Sequence, residues 1–195
     1  ESGGIISPGL FIEAAERYGI TPKIDRWVIR SAFRWLVSEA DERERLSFCS
    51  INLSGQSLGD EKFLPFVVDQ FQMSGLDATK ICFEITETAA IASYSQANRF
   101  INALKELGCK FALDDFGTGY SSFNYIKQLP IDTLKIDRSF ITHIDSAQAE
   151  FAIIKALVSL CRDLRLNMVV EGVETPLQRE ALVPGRSAHD GLYDA

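Results

Sequence analysis

Apolar residues recur at intervals of three or four positions in several stretches of the chain, and this spacing predicts helices with one buried face. Glycine and proline mark the ends of these stretches, as is typical of helix boundaries. The stretches that show the pattern are 8–19, 21–36, 63–75, 97–108, 151–164 and a last one that begins at 175–176. The chain is therefore expected to be rich in amphipathic helices.

The second of these helices allows a detailed expectation. Thr21 is predicted to cap its N-terminus, with Pro22 as the first helical residue, because both residue types are favoured at those positions. The mostly apolar positions that predict its buried face are Ile24, Trp27, Val28, Ser31, Trp35 and Leu36.

Short runs of strand length separate the helices. They are SFCSINLS (47–54), KICFEITE (80–87), KFALDD (110–115), DTLKID (132–137) and NMVVEG (167–172). Strands and helices that alternate along a chain are typical of βαβ units, which build a parallel sheet. The sequence thus predicts an α/β fold.

Each predicted strand carries polar residues at its C-terminal end. These residues are Asn52, Glu84, Asp114, Asp115, Lys135, Asp137 and Glu171. In a parallel βα barrel the C-terminal strand ends meet on one face, and that face holds the active site. A single residue of this kind is explained equally well by a strand-to-loop transition, but its repetition at successive strands indicates a site.

The composition is that of an ordinary globular domain, with 46% hydrophobic and 24% charged residues among 195. A net charge of −7 argues against a protein that binds DNA or RNA polymers, which normally carries a basic stripe. The chain contains no GxxxxGK[ST] loop and no GxGxxG turn, the standard nucleotide-binding motifs. Because the four cysteines are scattered and no signal or membrane-spanning segment is evident, we expect a reduced, cytoplasmic domain.

The polar residues at the strand ends are mostly hard oxygen donors, the ligands that Mg²⁺ and Mn²⁺ prefer. Asp114 and Asp115 are adjacent, and two such carboxylates repel each other unless they share a proton or cations. A site with two divalent ions beside Lys135 suits the attack of water on a phosphodiester. The same pattern also describes enolase-type sites, in which a lysine removes a proton beside a carboxylate. Composition and spacing leave both chemistries open.

Several long motifs resemble, in order, those of the EAL domain family, the phosphodiesterases that hydrolyse cyclic di-GMP to linear pGpG. They are ISPGLFIEAAERYG, INLSGQSL, FEITET, FALDDFGTGYSS, LPIDTLKID and VVEGVET, and the resemblance as a whole extends from Ile5 to about Val183. The resemblance implies a TIM-like (β/α)8 barrel, incomplete in this chain, with two Mg²⁺ or Mn²⁺ ions as cofactors.

The resemblance also implies roles for the polar residues at the strand ends. The metal ligands would be Asn52, Glu84, Asp114, Asp115 and Glu171, with Asp114 shared by the two ions. Lys135 would contact the catalytic water, and Glu171 would also serve as the general base.

Further roles follow from the same motifs. Glu87 would anchor the DFGTGYSS loop after the aspartate pair, and Glu174 would support the catalytic site. The candidates for binding the substrate are Pro8 and Phe11, near a guanine base, together with Asp137.

Two features depart from the family pattern. The Glu-Ala-Leu that names the family and supplies a metal ligand is expected on a strand before Glu1, together with the first strands of the barrel. The tripeptide Glu180-Ala181-Leu182 lies in a predicted helix and has no such role. After Val183, the residues PGRSAHDGLYDA replace the expected last strand. We therefore expect a partial EAL domain over 1–183 and an atypical C-terminal tail over 184–195.

We expect the parent protein to be an active phosphodiesterase, because each candidate position in the covered part keeps its expected residue type. The missing ligand is expected to weaken the first metal site in the chain as written. The alternative is a receptor that binds cyclic di-GMP without hydrolysing it. The expected partners are cyclic di-GMP and a sensory or GGDEF domain upstream; a homodimer and membrane anchoring of the full-length protein are left open.

Overall fold

The computed structural model describes residues 7–39, 44–118, 126–142, 148–182 and 192–194. The helices are α1 (Pro8–Arg17), α2 (Thr21–Ser38), α3 (Gly55–Gly59), α4 (Phe63–Ser74), α5 (Glu87–Ala92), α6 (Tyr94–Leu107), α7 (Gln148–Leu164) and α8 (Pro176–Leu182). The strands are β1 (Cys49–Leu53), β2 (Ile81–Thr86), β3 (Lys110–Phe116), β4 (Thr133–Ile136), β5 (Asn167–Val170) and β6 (Leu192–Asp194). Two 3-10 helices cover Ala78–Lys80 and Arg138–Phe140.

These elements belong to two compact units. The first consists of Glu1–Phe83 and Ala92–Cys109, and the second consists of Glu84–Ile91 and Lys110–Ala195. Strand β2 passes from one unit to the other, because Phe83 lies in the first and Glu84 in the second. None of the helices in the described ranges is long and apolar enough to cross a membrane.

In the second unit, β3, β4, β5 and β6 are neighbours in chain order, and each pairs with the next in parallel. The five predicted strands β1 to β5 are confirmed, and helices alternate with them as expected for βαβ units. The sequence did not predict β6, which lies in the tail and pairs with Met168–Val170 of β5. Its three residues are too few to show the alternation that identifies a strand in a sequence.

Phenylalanine side chains form much of the core of the first unit. Phe63 stacks on Phe100 with ring centroids 5.8 Å apart, and Phe83 meets Phe100 edge-on at 6.2 Å. Phe63 and Phe83 are completely buried. Ring pairs of this kind contribute about 0.5–1.5 kcal/mol beyond the burial of their area. The spacing of apolar residues predicted a buried face of Ala97, Phe100, Ile101, Leu104 and Leu107 for α6. The first four are buried, whereas Leu107 is 44% exposed.

The buried face of α2 differs from the one that the sequence predicted. Its buried residues are Thr21, Asp25, Ile29, Phe33 and Leu36, so only Leu36 was predicted correctly. Trp27 and Trp35 are 67% and 45% exposed. Thr21 also does not cap the helix, since Ile20 is the N-cap residue and the Thr21 hydroxyl donates to Gln56 Oε1 at 2.8 Å.

Asp25 faces inward because its carboxylate has polar partners there. Its Oδ2 atom accepts hydrogen bonds from the Ser54 N–H at 2.9 Å, the Ser54 hydroxyl at 2.7 Å and the Ser57 hydroxyl at 2.6 Å. Asp25 is only 8% exposed, and a buried carboxylate is tolerated when donors of this kind surround it. The bonds hold the chain just after β1, two residues beyond Asn52.

The Asp25→Ala substitution is expected to lower the free energy of unfolding by about 2–4 kcal/mol, because it leaves three donors without their buried acceptor. Urea unfolding followed by circular dichroism measures the loss. The control is Asp69→Ala, at an exposed position of α4, which should change stability by less than about 0.5 kcal/mol. Equal effects of the two substitutions would contradict the structural role of Asp25.

Candidate active site

The ammonium group of Lys135, on β4, is the centre of a cluster of carboxylates in the second unit. Its Nζ atom donates hydrogen bonds to Glu84 Oε2 at 2.8 Å, to Asp114 Oδ2 at 2.9 Å and to Glu171 Oε1 at 2.8 Å. The three carboxylates come from β2, from β3 and from the residue that follows β5. The polar ends of four strands therefore meet at this cluster, as the sequence predicted for these residues.

The members of the cluster differ in their access to solvent. The side chains of Lys135, Glu84 and Asp114 are 12%, 10% and 13% exposed, whereas that of Glu171 is 32% exposed. Glu171 is therefore the acidic partner of Lys135 that a molecule arriving from solvent reaches most readily.

A bulge in β3 brings Asp114 and Asp115 together. Leu113 pairs with Leu134, but Phe116 pairs with Ile136, so that β3 contains one more residue than β4 over this span. Asp115 has a positive φ of 53°, and its N–H donates to Asp114 Oδ1 at 2.9 Å. Successive side chains of a regular strand point to opposite faces, and the bulge removes that alternation here.

The charges of the cluster shift two pKa values. Burial by itself would lower the pKa of Lys135, but hydrogen bonds to Glu171, Glu84 and Asp114 raise it well above its usual value, so this group stays protonated. The pKa of Asp115 is raised, first by burial and then by the nearby charges of Asp114, Asp137 and Glu171. One ammonium group thus does not balance the carboxylates around it.

The cluster fits a divalent cation. Asp114, Asp115 and Glu171 each offer one carboxylate oxygen, and these oxygens lie within 4.8 Å of one another. Two oxygens bound at about 2.1 Å on opposite sides of one Mg²⁺ ion are about 4.2 Å apart, so small side-chain movements bring all three into range. Hard oxygen donors with excess negative charge are the chemistry that Mg²⁺ and Mn²⁺ prefer.

Glu87 contacts the segment that follows the aspartate pair. It is the first residue of α5 and only 3% exposed, and its Oε2 accepts a hydrogen bond from the Gly117 N–H at 3.0 Å. A contact of this kind was expected from the sequence. Of the hydroxyl groups proposed as further partners of Glu87, that of Thr118 donates to Asp115 O at 3.0 Å instead, and those of Ser121 and Ser122 lie outside the described residues.

Asp137 and Glu174 lie beyond the ends of β4 and β5. The Asp137 carboxylate accepts a hydrogen bond from the Ser139 N–H at 2.9 Å, and its bonds to Ser139 are the main reason that its pKa is lowered. Glu174 is exposed, and its own N–H donates to Gln178 Oε1 at 2.8 Å. Substrate binding by Asp137 and site support by Glu174 stay predictions.

The other predicted site residues belong to the first unit. Asn52 lies on β1 with an exposed side chain, and Pro8 and Phe11 lie on the first turns of α1. Phe11 is 41% exposed and Pro8 is also exposed, so both are accessible to a ligand. Their roles as metal ligand and substrate contacts likewise stay predictions.

The 3-10 helix Arg138–Phe140 was not predicted from the sequence. It packs against Gly117 and Gly172, the glycines of the two acidic segments, which are the segment that carries Asp115 and the segment that carries Glu171. A Cβ atom added at Gly117 would overlap the Phe140 ring, and one added at Gly172 would lie 2.5 Å from Arg138 Cβ. The signal for this helix was Asp137 followed two residues later by Ser139, an N-terminal capping arrangement.

Comparison with known proteins identifies the family. The family model described as "EAL domain" matches residues 1–184. The chain belongs to the EAL domain family. The α/β arrangement of this EAL domain is accordingly that of a TIM-like barrel, of which the described strands form a part.

A curated relative of this EAL domain is the cyclic di-GMP phosphodiesterase PdeB of Shewanella oneidensis. It is 41% identical over 172 residues, which cover 88% of this chain but only 20% of PdeB. The chain thus spans about a fifth of the length of that relative.

Two solved structures have the same fold. The phosphodiesterase PaMucR in complex with c-di-GMP has a TM-score of 0.84 and 34% identity, with 93% of this chain and 73% of that chain covered. The FimX EAL domain of Pseudomonas aeruginosa bound to c-di-GMP has a TM-score of 0.83 and 28% identity, with 92% and 72% covered.

The raised pKa of Asp115 predicts how pH affects the metal-free EAL domain. Its folded state holds a proton on Asp115 more tightly than the unfolded chain, so ionisation at pH values above about 4 destabilises the fold. In the presence of EDTA at pH 7, Asp115→Asn should therefore unfold at higher urea concentration than the unmodified protein. Asparagine also tolerates the positive φ at this position.

The difference should shrink as the pH falls through the raised pKa of folded Asp115, and it should be lost only below the unfolded-state pKa of about 3.9, where Asp115 is neutral in both states. Asp69→Asn, at an exposed site on α4, is the control and should not show this trend. A difference that is independent of pH would show that ionisation of the partly buried Asp115 carboxyl is not its cause.

Proposed function

We propose that this EAL domain is the catalytic part of a phosphodiesterase that hydrolyses cyclic di-GMP to linear pGpG. The observation that carries the proposal is the contact of Lys135 with three carboxylates at the ends of neighbouring strands. It supports catalysis because the same residues supply a fixed positive charge, a proton acceptor and ligands for a cation. The names of PdeB and PaMucR as phosphodiesterases support the reaction type, and the c-di-GMP bound to PaMucR and FimX supports the substrate.

We infer that the cofactors are two Mg²⁺ or Mn²⁺ ions. Asn52, Glu84 and Asp114 would hold the first ion, and Asp114, Asp115 and Glu171 would hold the second. Bound ions of this kind lower the pKa of a coordinated water and stabilise negative charge that develops on the phosphate.

The protein's own residues would then position water and move its proton. Lys135 is held in its charged form, so it can offset negative charge on the phosphate, and its ammonium would orient the attacking water once one of its three carboxylate partners turns to a bound ion. Glu171 is the most exposed of the three carboxylates that bind Lys135, and we assign to it the role of general base.

Substrate would be bound by exposed residues of the first unit and by Asp137. An exposed ring such as that of Phe11 offers a flat apolar surface for a guanine base, and Pro8 lies beside it on the same helix. A cytoplasmic location is a further proposal, drawn from the scattered cysteines. A sensory or GGDEF domain upstream and formation of a homodimer are proposals drawn from the family resemblance alone.

The direct test is hydrolysis of cyclic di-GMP by the protein that contains this chain. With Mg²⁺ or Mn²⁺, chromatography should show linear pGpG, and EDTA should abolish its formation. Lys135→Ala and Glu171→Gln should each lower kcat by about 10²- to 10⁴-fold, as the loss of a positioned charge or base does.

Calorimetry measures the affinity of both variants for cyclic di-GMP. This affinity should fall much less than kcat does. The control is Lys62→Ala, an exposed lysine at the start of α4, which should leave kcat unchanged. Nucleotide binding without turnover in the unmodified protein would instead establish the receptor function. Full activity of both variants would contradict the roles assigned to Lys135 and Glu171.

We also propose that Glu87 anchors the segment after Asp115 through the Gly117 N–H. Glu87→Ala should lower Mn²⁺ affinity by about 10- to 100-fold and lower turnover with it, as loss of a residue that orients metal ligands does. Glu87→Gln keeps an oxygen that can accept this hydrogen bond, so it should retain more affinity than Glu87→Ala. Isothermal titration with Mn²⁺ measures the difference, and normal Mn²⁺ affinity in Glu87→Ala would exclude the anchoring role.

A further inference from the structure

The 3-10 helix Arg138–Phe140 lies next to both acidic segments of the second unit. Gly117 comes two residues after Asp115 and has a φ of +100°, and Gly172 comes directly after Glu171 and has a φ of +73°. Residues with side chains rarely adopt such positive φ values. Both segments therefore turn sharply just after their carboxylates.

Both glycines also let the 3-10 helix approach their backbone more closely than any side chain at these positions would allow. A Cβ atom at Gly117 would overlap the Phe140 ring at Cε2 and Cζ. A Cβ atom at Gly172 would lie 2.5 Å from Arg138 Cβ and 3.4 Å from Arg138 Cα. The backbone of each acidic segment is thus in direct contact with the same short helix.

The short helix is itself firmly held. The Asp137 carboxylate caps it through the Ser139 N–H at 2.9 Å, and the Ile141 N–H donates to Arg138 O at 2.9 Å. Ile141, which ends the helix, is completely buried, and the Asp137 N–H donates to Phe116 O at 3.4 Å. A helix fixed at both ends can set the position of whatever packs against it.

We propose that Phe140 is a positioning residue: its ring holds the segment that carries Asp115 at a fixed place relative to the segment that carries Glu171. Glu87 binds the Gly117 N–H, and Phe140 packs on the Cα of the same residue, so the two side chains fix Gly117 by different interactions. The same helix contacts Gly172 through Arg138, so it fixes the spacing between the two carboxylates. The catalytic consequence of this spacing rests on the proposed function.

The first test measures amide hydrogen exchange in the metal-free protein, so it does not depend on activity. Phe140→Ala should accelerate exchange at the Gly117 N–H and in 171–174 by about tenfold or more, because the segments lose their support. Exchange in β2 and in the core of the first unit should stay the same. Phe140→Leu, which keeps part of the apolar contact, should give a smaller acceleration. Phe48→Ala, at a phenylalanine that is 44% exposed, is the control.

Each result of this test decides the question. Unchanged exchange at Gly117 and 171–174 in Phe140→Ala overturns the proposal, and so does acceleration spread evenly over the whole protein. If Phe140→Ala does not fold, Phe140→Leu is judged by the same criterion. If neither variant folds, Phe140 is a residue of the general core and the proposal is wrong.

The second test measures Mn²⁺ binding by isothermal titration. Phe140→Ala should lower Mn²⁺ affinity by about tenfold, with Phe140→Leu between it and the unmodified protein. Normal Mn²⁺ affinity in Phe140→Ala would contradict the link to the carboxylates. If the unmodified protein does not bind Mn²⁺, the proposed function fails, while the exchange experiment still decides the role of Phe140.

Discussion

The site depends on the ammonium group of Lys135, which binds carboxylates from β2, from β3 and from the end of β5. These carboxylates are only 10–32% exposed, and without a cation between them they would repel one another and be costly to remove from water. An ammonium group has three N–H donors, and Glu84, Asp114 and Glu171 use all three. Asp115 is outside this set of bonds, and its pKa is raised first by burial and then by the charges of Asp114, Asp137 and Glu171. The cluster therefore has more negative charge than the protein itself neutralises.

The two units show two ways to bury a carboxylate. In the first unit, Asp25 accepts three hydrogen bonds from neutral donors of Ser54 and Ser57 and requires no cation. In the second unit, carboxylates outnumber the ammonium group of Lys135, and additional cations would lower their mutual repulsion. A buried carboxylate that is surrounded by enough neutral donors is therefore structural, whereas buried carboxylates with too little positive charge around them are suited to bind a metal ion.

The geometry of the acidic segments depends on departures from regular structure. The bulge in β3 and the positive φ of Asp115 bring the carboxylates of Asp114 and Asp115 together. The positive φ values of Gly117 and Gly172 then change the chain direction shortly after each acidic residue. The positive φ of Asp115 costs free energy and persists because surrounding contacts hold this residue. Here those contacts are the Glu87 carboxylate and the 3-10 helix that begins at Arg138.

The sequence by itself determined the α/β class, the positions of β1 to β5 and the family, because periodic apolar patterns and motif order are local properties of the chain. It also identified Glu84, Asp114, Lys135 and Glu171, since polar residues at the ends of parallel strands must meet at one edge of the sheet. It did not determine which face of α2 is buried, because Asp25 turns inward only when Ser54 and Ser57 are there to bind it. Only the tertiary structure decided the β3 bulge, the strand β6 and the packing of Phe140 on Gly117. Each of these depends on contacts between residues far apart in the chain, which no local pattern records.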